Sequence, residues 1–173
     1  MKKLALAVLA VVPVLSFAQT GYYVQGDVGF SRPKVEVGGT NVNENTVSYG
    51  VAVGKQVDTA RFAADYTYVG KVKEGTKKLE VQSVGLSAIQ DFKNDSIVTP
   101  YVGARVGANR LELKDEGMSD SRVRAGIGAV AGVQVQVAPQ LAIDAGVEYN
   151  YLGKVAGEKV DQYGATVGVR VDF

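Results

Sequence analysis

Asp27, Arg61, Asp65, Asp91, Arg105, Asp144, Glu148 and Arg170 each stand within a largely uncharged stretch of this chain. Isolated acids and arginines have three chemical uses: proton transfer, lining a polar passage, or neutralising one another in a confined space. Proton transfer is the least supported. The chain has no histidine and no cysteine, so the usual general base, the commonest metal ligand, thiolate chemistry and disulfides are all missing. No catalytic residue, metal ligand or cofactor-binding residue is assigned, and the protein is read as a non-enzyme. Pairing within a lumen is the preferred use of the eight charges, with Arg61, Arg105 and Arg170 set against the five acids.

Three other stretches carry possible chemistry. "VGKVKEGTKK" sets Lys71, Lys73, Lys77 and Lys78 against Glu74 alone. It is a basic patch suited to lipopolysaccharide phosphates or acidic glycans, although a solvated loop is its plainer use. "ELKDEGMSDS" is acidic through Glu112, Asp115, Glu116 and Asp120, but its spacing fits no calcium-binding EF-hand and it reads as a charge run. "GIGAVAG", Gly126 to Gly132, superficially resembles a dinucleotide fingerprint. Such a fingerprint must follow a strand and open a helix, whereas these glycines alternate inside a strand. A net charge of +1 offers no electrostatic case for nucleic acid.

The elements that would hold these residues share one pattern. In "DQYGATVGVRVDF", Tyr163, Ala165, Val167, Val169, Val171 and Phe173 alternate with Gln162, Gly164, Thr166, Gly168, Arg170 and Asp172. Period-two alternation marks a strand with two unlike faces. The same pattern recurs in "YYVQGDVGF", "VSYGVAVG", "RFAADYTY", "SVGLSAIQDF", "YVGARVGAN", "RAGIGAVAGVQVQV" and "LAIDAGVEYNY", with Ile89 and Gln90 each on the wrong side. About eight strands result, near the roughly 9–11 residues a membrane strand needs. Between them run the longer connections "RPKVEVGGTNVNEN", "VGKVKEGTKK", "ELKDEGMSDS" and "LGKVAGEKV". These alternate with "KQVDTA", "KNDSIVTP" and "VAPQ", most of which are shorter.

The first residues read as an export address. "MKK" is a basic start, "LALAVLAVVPVLSF" is apolar, and "SFA" supplies the small residues of a cleavage site. Residues 1–18 are therefore expected to be a signal peptide and 19–173 a single barrel domain. No later stretch approaches the roughly 20 consecutive apolar residues of a membrane helix.

Three features decide which face meets lipid. The polar face carries the ions; its other positions are mostly glycine, alanine and serine; and aromatics crowd the ends of the apolar face. Tiny residues suit the interior of a narrow barrel, which side chains must fill. Two aromatic belts suit a bilayer: Tyr22, Phe62, Phe92 and Phe173 low, and Phe30, Tyr49, Tyr66, Tyr68, Tyr149, Tyr151 and Tyr163 high. In lipid every backbone polar group must be paired within the protein, so the strands must close into a ring. The expected fold is all-β: an eight-stranded antiparallel up-and-down transmembrane β-barrel of the outer membrane, both termini periplasmic.

"FAADYTYVGK", "SVGLSAIQDF", "TPYVGARVGANR", "AIDAGVEYNYLGKV" and "VGVRVDF" resemble the opacity-family porins of Gram-negative bacteria, above all the short-looped neisserial members. The resemblance implies a small surface barrel whose loops contact host-cell, complement or lipid partners. The terminal Phe173 resembles the aromatic signature read by the barrel-assembly machinery. A loop-mediated surface function is thus expected, with a narrow passive porin as the alternative.

Overall fold

The computed structural model describes residues 21–37, 40–43, 46–74, 77–115, 118–155 and 158–173. Toward the strand tips, in 33–37, 40–43, 70–74, 77–80, 111–115, 118–122, 152–155 and 158–160, only the backbone is described. The proposed signal peptide lies outside these residues.

Among the described residues nine strands follow one another: β1 (Tyr22–Val37), β2 (Thr40–Asn43), β3 (Thr46–Val57), β4 (Ala60–Glu74), β5 (Lys77–Asp91), β6 (Val98–Asp115), β7 (Met118–Ala138), β8 (Leu141–Val155) and β9 (Glu158–Asp172). They form one sheet in the order β2-β1-β3-β4-β5-β6-β7-β8-β9, closed by an additional β1–β9 pairing. All neighbours are antiparallel, and the closing register runs from Tyr23↔Asp172 to Val35↔Val160. The four-residue β2 pairs with β1 alone, from Lys34↔Asn43 to Val37↔Thr40, so it stands outside the ring of eight. This short strand is one more than the alternation implied. It carries no apolar face to announce it.

The ring follows from backbone chemistry. A sheet in hydrocarbon has no water to satisfy an open edge, so β1 and β9 must meet. Beyond the last strand, Gly21 N–H donates to the Phe173 carbonyl at 3.0 Å and Phe173 N–H donates to the Tyr22 carbonyl at 2.8 Å. Gly21 has φ of 72° and lies so near Gln56 that a Cβ would come 2.9 Å from its carbonyl oxygen. Phe173 itself is buried, at 8% exposure, instead of standing out with the low aromatic belt. It follows the end of β9, where two backbone bonds draw the chain into the seam between the termini.

The outer connections differ from the loops expected. Residues 71–74 belong to β4 and 77–78 to β5, so Lys71, Lys73, Lys77 and Lys78 lie on strands. Likewise most of "ELKDEGMSDS" lies in β6 and β7, and most of "LGKVAGEKV" in β8 and β9. The cause is physical: above the bilayer both sheet faces meet water, so the apolar alternation lapses while backbone pairing continues. At the opposite end the connections are tight. Only Asp58 and Thr59 separate β3 from β4, with Asp58 at φ 56°, and only Pro139 and Gln140 separate β7 from β8. Val98, Thr99 and Pro100 of "KNDSIVTP" begin β6.

Val28, Val51, Leu86, Val106, Ile127, Val147 and Val167 are exposed on the outside, while Arg61, Arg105, Asp91, Asp144 and Arg170 are buried within. The barrel thus has its apolar residues outside and its ions inside, the reverse of a water-soluble core. Ile89 is turned into the lumen, whereas Gln90 is exposed outside and donates to the Thr59 and Asp91 carbonyls at 3.1 and 3.0 Å. Those bonds at the rim satisfy a polar side chain on the apolar face.

Candidate functional site

Period-two alternation aims every second residue of each strand inward, and near the end that holds the termini these residues join up. Arg170 of β9 stacks on Tyr23 of β1, its guanidinium carbon 4.7 Å from the ring centre. It donates to Asp172 Oδ1 at 2.8 Å, Gln134 Oε1 at 2.7 Å and Gln56 Oε1 at 2.9 Å. Gln56 passes the chain on, its Nε2 donating to Asp91 Oδ2 at 2.9 Å. Arg61 pairs with Asp91 at 2.7 Å, with 1% and 3% of the two side chains exposed. Its guanidinium also lies 4.8 Å from the Tyr101 ring, and Tyr101 O–H donates to Asp144 Oδ1 at 2.8 Å. Every strand of the ring contributes a member: Tyr23, Gln56, Arg61, Asp91, Tyr101, Gln134, Asp144 and, from β9, both Arg170 and Asp172.

A second group lies higher. Arg105 meets Asp65 through Nε, at 3.1 and 3.0 Å to its two oxygens, and donates through an Nη to Ser83 Oγ at 2.8 Å. Asp27, on the other wall, accepts from Gln25 Nε2 at 2.8 Å. Between the two groups is a cavity of about 110 Å³, lined in part by Asp27, Asp65, Asp144, Glu148, Arg61 and Arg105. Among the described residues no group of three acidic side chains converges closely enough to chelate a metal ion.

The small residues of the polar face make room for this content. A Cβ at Gly85 would come 2.5 Å from the Arg105 guanidinium, and Cβ atoms at Gly132 and Gly146 would each come 2.5 Å from the Tyr101 hydroxyl. One at Gly164 would meet Glu148 at 2.7 Å. Each of these bulky lumenal side chains therefore lies over a glycine. In a bore this narrow, one side chain fits only where another is missing.

Of the eight ions expected to pair, Arg61 meets Asp91 and Arg105 meets Asp65, while Arg170 meets Asp172, which was not among the eight. Asp27, Asp144 and Glu148 have no basic group within ion-pair distance among the described residues. Charge alone did not reveal Gln56, Gln134, Tyr23 and Tyr101. Their signal was a large neutral side chain on a face whose uncharged positions are mostly glycine, alanine and serine.

The outward aromatics form rows. Tyr49 faces Tyr68 across β3 and β4, and Tyr149 faces Tyr163 with ring centroids 5.1 Å apart. Tyr149 O–H also donates to Asp161 at 2.9 Å. Toward the termini, the Lys55 ammonium lies 4.9 Å from the Tyr22 ring centre, and Lys55 is the register partner of both Tyr22 and Phe62. Tyr22, Phe30, Tyr49, Phe62, Tyr66, Phe92, Tyr149 and Tyr163 are exposed, while Tyr68 and Tyr151 are half-buried.

Register rearranges the basic patch. Lys73 opposes Lys78, and Lys78 in turn opposes Lys114 of β6, whereas Lys77 opposes Glu74. An irregularity between Val69 and Val72 shifts the pairing on the way up and creates the lysine rung.

Residues 53–173 match the family described as "Opacity family porin protein". The chain belongs to the opacity family. "Protein opa" of Haemophilus influenzae is 41% identical over 125 residues, covering 70% of this chain and all of that relative. The crystal structure of neisserial surface protein A superposes with a TM-score of 0.79 at 35% identity, over 89% of this chain and 98% of that one. Ail of Yersinia pestis, solved in complex with the heparin analogue sucrose octasulfate, shares the fold at TM-score 0.57 and 18% identity, over 86% and 98% of the two chains. As an opacity-family member, this is a Gram-negative outer-membrane barrel of the porin and adhesin type, a family not built around catalysis.

Proposed function

We propose that this opacity-family protein works from its outer rim. Its strand tips contact anionic surface molecules, lipopolysaccharide or host and complement molecules, while its lumen is closed to solutes. One observation carries this reading: the run of contacts from Tyr23 through Arg170, Gln56, Asp91, Arg61 and Tyr101 to Asp144. It crosses a bore that eight strands leave only wide enough for side chains. With the interior so occupied, the outer surface is what remains to act. There the rung of Lys73, Lys78 and Lys114 concentrates positive charge, which attracts phosphate and sulfate groups. The sulfated heparin analogue held by Ail suggests the first class of molecule to test.

Replacing Lys71, Lys73, Lys77 and Lys78 with glutamine should weaken binding to heparin-like glycans or lipopolysaccharide, most clearly at low salt. Unchanged binding across a salt series would defeat the proposal. The second reading, a narrow passive pore, has the central cavity in its favour. Single-channel recording on the refolded barrel separates the two: no conductance accords with a closed lumen, and a stable open state overturns it.

The same reading takes residues 1–18 as a cleaved signal peptide, both termini as periplasmic, and Phe173 as the contact for the barrel-assembly machinery. It assigns no enzymatic role to a chain without histidine or cysteine.

A further inference from the structure

The cavity of about 110 Å³ in the middle of the lumen has an unbalanced wall. Among the described residues, Asp27, Asp65, Asp144 and Glu148 line it together with two cations, Arg61 and Arg105. Both cations are engaged, Arg61 with Asp91 and Arg105 with Asp65. Three carboxyl groups therefore face the space with no basic group in contact among the described residues. Asp144 is the clearest case. It is 2% exposed, its Oδ1 accepts the Tyr101 hydroxyl, and its Oδ2 has no hydrogen-bond partner. A buried carboxylate left without a counter-charge is strongly destabilising, and a buried oxygen without a partner adds to that cost.

We propose that this chamber binds a small monovalent cation of sodium or potassium size, with part of its water shell. The carboxyls do not converge as a chelate, which argues against a divalent ion held directly and for an ion bridged to the walls by water. Room is sufficient, since one water needs only about 10–15 Å³ of such space. Thr67, Ser83, Arg105, Asn109, Glu148, Asn150 and Gln162, with Val69, surround a smaller space of about 10 Å³ on the strand-tip side. On the other side stands the Arg170–Gln56–Asp91–Arg61 network, whose cations would stop the ion. The site requires only the chamber and its acids, so it stands whether or not the lumen passes solutes.

The test uses the full refolded barrel in detergent. Its unfolding midpoint, read from heat-modifiable gel migration, is compared in sodium, potassium and N-methylglucamine chloride at equal ionic strength and pH. The small cations should raise the midpoint and saturate as a single-site isotherm, while N-methylglucamine, too large for the chamber, should not. The double variant Asp27→Asn, Asp144→Asn should lose the difference between salts. Equal wild-type midpoints in all three salts would overturn the proposal, as would a cation effect that survives in the variant. Should the variant not fold, wild-type crystals soaked in rubidium chloride decide: an anomalous peak in the chamber supports the site, and none at saturating rubidium sinks it.

Discussion

Gln56 and Arg170, 114 residues apart in sequence, meet inside the barrel with Arg170 Nη2 donating to Gln56 Oε1 at 2.9 Å. Through its amide nitrogen, Gln56 also reaches Asp91, so one neutral side chain joins a buried cation to a buried anion. An amide suits this position because it both accepts and donates. Replacing it should cost more than its lack of charge suggests. Gln56→Leu is expected to lower stability by about 1.5–3 kcal/mol for each charge-assisted bond lost, seen as a lower urea midpoint for unfolding. Gln56→Glu should fare no better, since a new carboxylate would confront Asp91.

Arg61 and Asp91 are both almost fully buried. Removing either partner leaves the other as an uncompensated charge, a loss of about 3–5 kcal/mol. Arg61→Met and Asp91→Leu should each destabilise the refolded barrel by roughly that amount. The double variant should cost less than the two added together, and a double-mutant cycle on urea midpoints measures the coupling.

Gly85 and Gly26 make a matched contrast. A Cβ at Gly85 would collide with the Arg105 guanidinium, whereas one at Gly26 would meet nothing within 4 Å. Gly85→Ala should displace Arg105 from Asp65 and cost about 1–3 kcal/mol as overpacking. Gly26→Ala should fold and melt close to wild type, as surface changes usually do, within about 0.5 kcal/mol.

Spin labels test the inside-out arrangement directly. Labels at Val106 and Val167, exposed on the outer face, should collide freely with oxygen dissolved in acyl chains. Labels at Ser87 and Thr166, which line the central cavity, should be shielded from it. Reversed accessibilities would be incompatible with a membrane barrel.

Much of this barrel was legible in the chain because lipid imposes a strict rule on it. Val102, Ala104, Val106 and Ala108 against Tyr101, Gly103, Arg105, Gly107 and Asn109 need no partner strand to declare their two faces. Legibility faded where lipid stops. Lys71, Lys73, Lys77 and Lys78 looked like loop residues because water on both sides leaves no alternation, yet the strands run on past them and the ladder continues through Lys73, Lys77 and Lys78. Phe173 keeps the parity of its strand in the sequence but follows its last residue, so it turns into the seam.

The pattern of residues by itself determined the strand faces, the need for closure and the inward placement of the ions, because each depends on local alternation and on the solvent each face must meet. Only the tertiary structure decided which ions meet. Pairing depends on strand register, which aligns residues far apart in sequence: it set Lys78 between Lys73 and Lys114, and brought Gln56 to Arg170. It also left Asp27, Asp144 and Glu148 around a shared space, because the cavity is bounded by walls from strands that no single segment contains.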